Sequence, residues 1–157
     1  MMKTVAVLVA SDSCFNGERE DKSGKAIVEI MKAANCKIES YDVVSDDLTA
    51  ISAKLNEYVN RKINLVLTTG GTGFSPRDNM PEATKAHKPK KAVSDREAPG
   101  IAEAIRFSSF AITKKAMLSR AVSGIKDKTL IINLPGSEKA VRESIDVIFS
   151  PVEHGLD

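Results

Sequence analysis

Three short apolar runs, separated by two stretches of helical periodicity, constrain this chain more than any other feature. Thr4-Val5-Ala6-Val7-Leu8-Val9-Ala10 is rich in β-branched residues and reads as a buried strand. A helix is expected from about Ser23-Gly24, with Ile27, Ile30 and Met31 on one face, giving out near Asn35-Cys36. A second strand follows over residues 37–44, with Ile38, Val43 and Val44 as its apolar members. After Ser45-Asp46-Asp47, Leu48, Ile51, Leu55, Tyr58 and Val59 recur at helical spacing. Leu65-Val66-Leu67 is a continuous apolar run, as in a parallel strand covered on both faces. Strand, helix, strand, helix, strand is a βαβαβ unit, which implies an α/β fold with a parallel sheet and right-handed crossovers.

Asn79-Met80-Pro81-Glu82-Ala83-Thr84 reads as a short helix start with Pro81 in the first turn, and residues 87–91 as a polar break. Ser94-Asp95-Arg96-Glu97 has capping-box spacing and predicts a helix through Ala102, Ile105 and Arg106. Residues 107–112 are ambiguous, and Met117-Leu118-Ser119-Arg120 fits a short strand or a turn. Leu130-Ile131-Ile132-Asn133-Leu134 is a fourth buried strand, ending at Pro135-Gly136-Ser137. A last helix carries Val141, Ile145 and Ile148, and residues after Pro151 are expected to fray. The 157 residues contain no repeat or linker, so a single domain spanning 1–157 is expected.

Composition narrows the function classes. A net charge of +2 argues against nucleic-acid or membrane-surface binding driven by bulk charge. Lys88, Lys90 and Lys91 cluster, as a solvated loop does. No apolar run is long enough to span a bilayer. The first apolar run is short and leads straight into Ser11-Asp12-Ser13, so no signal peptide is expected. Cys14 and Cys36 form no metal-ligand pattern, which fits a reducing cytoplasm, and they read as inert. Only His87 and His154 are present, a poor basis for a histidine metal site or a Ser-His-Asp nucleophile.

The third strand runs into Thr68-Thr69-Gly70-Gly71-Thr72-Gly73-Phe74-Ser75-Pro76-Arg77-Asp78. The spacing matches neither a P-loop nor the dinucleotide fingerprint. A glycine-rich loop between strand and helix can nonetheless hold an anion on backbone N–H groups. It can equally be a tight turn that only needs glycine. The wider pattern carries more weight: four strands end in Ser11-Asp12-Ser13, Ser45-Asp46-Asp47, the glycine loop, and residues 133–137. In an open parallel sheet these ends share one edge, and ligands bind in the crevice outside it. Asp12, Asp46 and Asp78 thus converge where a carboxylate can hold Mg²⁺ against phosphate oxygens. Phosphoryl or nucleotidyl transfer rests on positioning and electrostatics and needs no dedicated histidine.

Each of these residues also has a plainer role. Asp46 has the position of an N-cap, Asp78 can cap the next helix or pair with Arg77, and Asp12 can bond its own turn. Asp95 and Arg96 suit the first turn of a solvated helix face. Phe107 and Phe110 are expected in the core, with a nucleobase or pterin contact as the lesser alternative.

The glycine loop, with Pro81-Glu82-Ala83-Thr84 behind it, resembles the signature of the molybdopterin adenylyltransferase family (MogA/MoaB and the gephyrin G domain). Val9-Ala10-Ser11-Asp12-Ser13, Asp21-Lys22-Ser23-Gly24, Arg96-Glu97-Ala98-Pro99-Gly100, Leu118-Ser119-Arg120-Ala121-Val122 and Asn133-Leu134-Pro135-Gly136-Ser137 agree in order, over nearly the whole chain. The resemblance implies a three-layer α/β/α sandwich with a mostly parallel, Rossmann-like sheet, usually trimeric. It implies transfer of AMP from Mg-ATP to molybdopterin with release of pyrophosphate, and hand-over of the product to a molybdate-insertion protein. Asp46 matches the aspartate linked to Mg-nucleotide chemistry, and Asp78 the one linked to the pterin. Ser11, Gly70, Thr72, Ser109 and Asn133 match site-lining positions. Asp12, Gly71, Gly73, Pro135, Gly136 and Ser137 complete the expected substrate-binding set, with Gly70 to Gly73 and Pro135 to Ser137 as the cradle. Met80 stands where the family usually has Thr, which removes a hydroxyl beside Asp78. Residues 87–92 look like an insertion ahead of Arg96-Glu97. A non-catalytic pterin-binding carrier or scaffold is the alternative function, and another Mg-dependent phosphotransferase a third.

Overall fold

The computed structural model describes residues 1–85 and 93–157. The expected insertion at 87–92, the polar break and the lysine cluster at 88–91 lie outside the described residues. Strands β1 (Thr4–Ala10), β2 (Lys37–Val44) and β3 (Leu65–Thr69) form as expected, linked by helices α2 (Ser23–Ala33) and α3 (Leu48–Asn60). A one-turn helix, α1 (Asp12–Phe15), occupies the start of the expected loop, and Ser11 caps it by accepting from Cys14 N at 3.2 Å. Helix α4 (Met80–Thr84) follows the glycine loop. Then come β4 (Arg96–Glu97), α5 (Pro99–Phe110), a 3-10 turn (Lys114–Leu118), β5 (Ser123–Lys126), β6 (Thr129–Leu134) and α6 (Glu138–Gly155).

The sheet has six strands in the order β2-β1-β3-β6-β5-β4. The first four are parallel, and β5 and β4 add an antiparallel edge. Strict alternation divides the core into two layers. Val5, Val7, Leu65, Leu67, Leu130, Ile132 and Leu134 face Ile27 and Met31 of α2, Ile105 of α5 and Val141, Ile145 and Ile148 of α6. Ala6, Leu8, Val66 and Ile131 face Ile51, Leu55 and Tyr58 of α3 and Met80 and Ala83 of α4. Helices therefore cover both faces of a mostly parallel sheet, giving three layers.

Several local expectations give way to tertiary packing. The capping-box spacing at 94–97 does not start a helix: Asp95 N and Ala98 N donate to Ile125 and Ser123 carbonyls, each at 2.9 Å, so this segment pairs with β5. Asp95 instead takes an ion pair from Lys126 at 2.7 Å. Pro99 then opens α5, because a residue before proline is held out of helical geometry. Of the two readings of 117–120 the turn is the one observed: Met117 and Leu118 close the 3-10 turn and Ser119 caps it. Phe107 and Phe110 are not core residues: α5 leaves them 84% and 46% exposed. Helix α6 continues through Pro151 to Gly155, with Val152 buried and Lys3 Nζ donating to the Leu156 carbonyl at 2.8 Å. Among the described residues no helix is long and apolar enough to cross a membrane.

Candidate functional site

The parallel strands stop level with one another: Ala10 pairs with Val44, Val9 with Thr69, and Thr69 with Leu134. Outside β1, β2, β3 and the turn after β6 lies a cavity of about 990 Å³. That is large enough for a nucleotide-sized ligand. Of the expected site residues, Ser11, Asp12, Asp46, Gly70, Gly71, Gly136 and Ser137 line it. So do Ser13, Glu18, Arg19, Glu20, Asp21, Lys22, Ser23, Thr69 and Glu138, which the sequence reasoning left unassigned.

Asp12 and Asp46 are locked together through their backbones. Asp12 N donates to Asp46 Oδ2 and Asp46 N donates to Asp12 Oδ1, each at 3.0 Å. Arg77 then closes on Asp12 as a fork, Nε to Oδ2 at 3.1 Å and Nη2 to Oδ1 at 2.8 Å. The Arg77 hydrogen bonds, with that from Asp46 N, hold the Asp12 carboxyl below its usual range. Asp46 differs. Its Oδ1 is buried without a hydrogen-bond partner. Burial pushes its carboxyl up, and the charges of Asp12 and Asp78 push in the same direction. The cap of α3 is Asp47, whose Oδ2 accepts from Ala50 N at 2.9 Å, so Asp46 is not engaged as an N-cap.

An unpaired buried carboxylate oxygen is costly unless a cation completes it. A hard divalent ion needs only one or two protein carboxylates when phosphates supply the remaining oxygens. Asp46 Oδ1, with Asp12 beside it, fits Mg²⁺ on that basis. Among the described residues no three His, Cys, Asp or Glu side chains gather into an all-protein metal cage.

Facing these carboxylates are the N-terminal ends of α2 and α6, represented in the cavity wall by Lys22, Ser23, Ser137 and Glu138. Helix N-termini carry partial positive charge and suit phosphate. Two hydroxyls fix the turn after β6: Thr69 Oγ1 donates to the Pro135 carbonyl and Ser23 Oγ to the Gly136 carbonyl, each at 2.6 Å. Asp21 is nearly buried in the wall, accepting from Gly24 N at 3.0 Å and from the Tyr41 phenol. Burial and that carboxylate push the Tyr41 phenol well up. The motif Asp21-Lys22-Ser23-Gly24 was the signal for this arm.

The remaining expected residues do not line this cavity. Asp78 Oδ2 accepts from Ser75 N at 3.0 Å, folding over Gly73, and Arg77 leaves it for Asp12. Thr72 and Gly73 belong to the same loop. Pro135 contributes its carbonyl to Thr69. Asn133 is fully buried, accepting from Val122 N at 3.2 Å and donating to Thr68 and Thr84 hydroxyls at 3.0 and 3.1 Å. Ser109 sits half-buried near the end of α5.

Met80 is fully buried in the layer beneath α3, and its backbone N donates to the Gly71 carbonyl at 3.1 Å. Its side chain serves the core rather than the cavity wall. Met80→Thr is therefore expected to cost about 2 kcal/mol of stability, by losing buried apolar surface and burying a hydroxyl. Denaturant unfolding measures the loss.

The family described as "Probable molybdopterin binding domain" matches residues 6–154. A Dictyostelium discoideum protein named gephyrin is 41% identical over 162 residues, covering 97% of this chain but only 22% of that protein. A Helicobacter pylori protein named molybdopterin adenylyltransferase is 38% identical over 156 residues, covering 98% of this chain and 85% of that one. The crystal structure of a molybdopterin biosynthesis protein from Mycobacterium abscessus superposes with a TM-score of 0.90 at 37% identity, covering 98% of this chain and 94% of that one. With strand order, strand-end cavity and these likenesses in agreement, the chain belongs to the molybdopterin-binding domain family.

Proposed function

We propose that this chain is a molybdopterin adenylyltransferase of molybdenum cofactor biosynthesis, transferring AMP from Mg-ATP to molybdopterin and releasing pyrophosphate. One observation carries the reading: Asp46 Oδ1, buried and without a partner, in a cavity walled by the starts of two helices. The naming of the Helicobacter relative supports the reaction class, a nucleotidyltransferase.

The residues divide the work. Asp46, backed by Asp12, would hold Mg²⁺, which would supply positive charge to offset that of the phosphates. Gly70, Gly71 and the turn at Gly136 and Ser137 approach the phosphates with backbone, and Arg19 and Lys22 add positive charge at the wall. Asp78 positions the terminal phosphate of the pterin. An oxygen of that phosphate attacks the α-phosphorus of ATP, the bond to the β-bridging oxygen breaks, and pyrophosphate leaves. Orientation supplies much of the acceleration, because no proton relay through histidine is required.

A homotrimer is the assembly that the resemblance implies. The exposed Phe107, Phe110, Ile112, Met117 and Leu118, at the end of α5 and in the adjoining 3-10 turn, offer an apolar face to a second copy. Light scattering tests it. The two free thiols, Cys14 and Cys36, suit a reducing cytoplasm. The adenylated product suits consumption by a molybdate-insertion protein.

The test is pyrophosphate release by the purified protein. Release that requires both ATP and molybdopterin supports the proposal. Pterin binding that ignores ATP favours the carrier, and ATP hydrolysis without pterin favours another phosphotransferase.

A further inference from the structure

One side chain holds the glycine loop from outside the cavity. The Arg120 guanidinium makes five hydrogen bonds: Nε to the Gly73 carbonyl at 2.7 Å, Nη2 to the Asp78 carbonyl at 2.8 Å, and three to Glu82 at 2.9 to 3.1 Å. The Arg120 backbone N also donates to the Thr72 carbonyl at 2.8 Å. Burial alone raises the Glu82 carboxyl, but the Arg120 hydrogen bonds and charge bring it below its usual range, so the partner stays ionised.

The two carbonyls that Arg120 grips bracket the segment 73–78. Within it Asp78 N donates to the Ser75 carbonyl at 2.9 Å and Ser75 N to Asp78 Oδ2 at 3.0 Å. A β-carbon at Gly73 would stand 2.9 Å from Asp78 Oδ2, so the carboxylate lies directly over the loop. We propose that Arg120 is the positioning residue of this loop: by fixing the Gly73 and Asp78 carbonyls it sets the direction in which the Asp78 carboxylate meets the pterin phosphate. The inference rests on the adenylyl-transfer reading for its kinetic part and on the loop geometry alone for its structural part.

Lysine at this position keeps the ion pair to Glu82, but a single ammonium cannot reach both carbonyls as the fork does. Arg120→Lys is expected to speed hydrogen exchange across residues 72–78 in the unliganded protein. It is also expected to lower kcat/KM for molybdopterin by about 10- to 100-fold. KM for ATP stays put, because the Asp46 side of the cavity is untouched, and a purely structural defect would not spare it. Glu82→Gln, which loosens the guanidinium without touching either carbonyl, is expected to move the same readouts less and covers the case of a poorly folded lysine variant. Unchanged exchange at 72–78 in the folded variants, or ATP and pterin constants that fall together, overturns the proposal. A parent protein that exchanges this loop slowly yet transfers no AMP overturns the adenylyl-transfer reading instead, and the exchange comparison still decides the role of Arg120.

Discussion

Asp46→Asn is expected to lower adenylyl transfer at least about a hundredfold while melting no lower than the parent protein at pH 7. The substitution is isosteric, and the amide oxygen still accepts from Asp12 N as Asp46 Oδ2 does. What disappears is the anionic oxygen that has no protein partner. The stability half follows from the sign of the shift. Burial, then the charges of Asp12 and Asp78, raise the folded carboxyl above its ordinary 3.8. Between that value and the raised one the folded chain binds more protons than the unfolded chain, so Asp46 subtracts stability as pH rises through the interval. At neutral pH the penalty is fully present, and below 3.8 it is gone. The asparagine variant escapes it, so its relative advantage in thermal unfolding is expected to shrink as pH falls toward 4, an acidity near the ordinary carboxylate range. Activity of the parent is expected to fade on the acid side sooner than an ordinary carboxylate would dictate. A variant that keeps its rate removes Asp46 from the role assigned to it.

Gly70→Ala is expected to cost roughly 3–5 kcal/mol, a large share of the stability of a domain this size. Gly70 has φ of +92°, and a β-carbon there would sit 2.2 Å from the Ala10 carbonyl oxygen. Neither side can yield cheaply, because Ala10 is the last residue of β1 and is held in register with Val44. Gly17 supplies the control: its φ is +77°, but nothing lies within 4 Å of the added carbon. Gly17→Ala should therefore cost only the backbone term, about 1 kcal/mol. Equal losses at the two positions in denaturant unfolding would show that the close approach of the glycine loop to β1 is not what demands glycine.

The parallel half of the fold was legible because its signals are local and redundant. β1, β3 and β6 are apolar runs that end in turn residues, and each run tells the same story as the helix after it. Asp12 and Asp46 meet across 34 residues of sequence, since topology alone puts the ends of parallel strands on one edge. The antiparallel edge was not legible. β5 is Ser-Gly-Ile-Lys, with one apolar side chain, and β4 is two residues long; both exist because a neighbour pairs with them. The same pairing overrode the capping-box spacing at 94–97.

Side-chain partners were harder still. Arg77 next to Asp78 looked like a pair, yet the guanidinium reaches Asp12, 65 residues away. Adjacency in sequence says little about which way a side chain leaves a glycine loop. Arg120 and Asp21 lay inside motifs that the family resemblance picked out, but their work is to hold carbonyls and a helix start, which no residue pattern announces. Met80 shows the converse: beside Asp78 in sequence, it turns into the core.

The most direct measurement is a single-turnover reaction of the folded protein with molybdopterin and Mg-ATP labelled at the α-phosphorus or, in parallel, at the γ-phosphorus. Transfer of the α-label to the pterin with the γ-label in pyrophosphate, both lost in Asp46→Asn, is the predicted result. An α-label that remains in ATP, or that appears as AMP or ADP without entering the pterin, contradicts it.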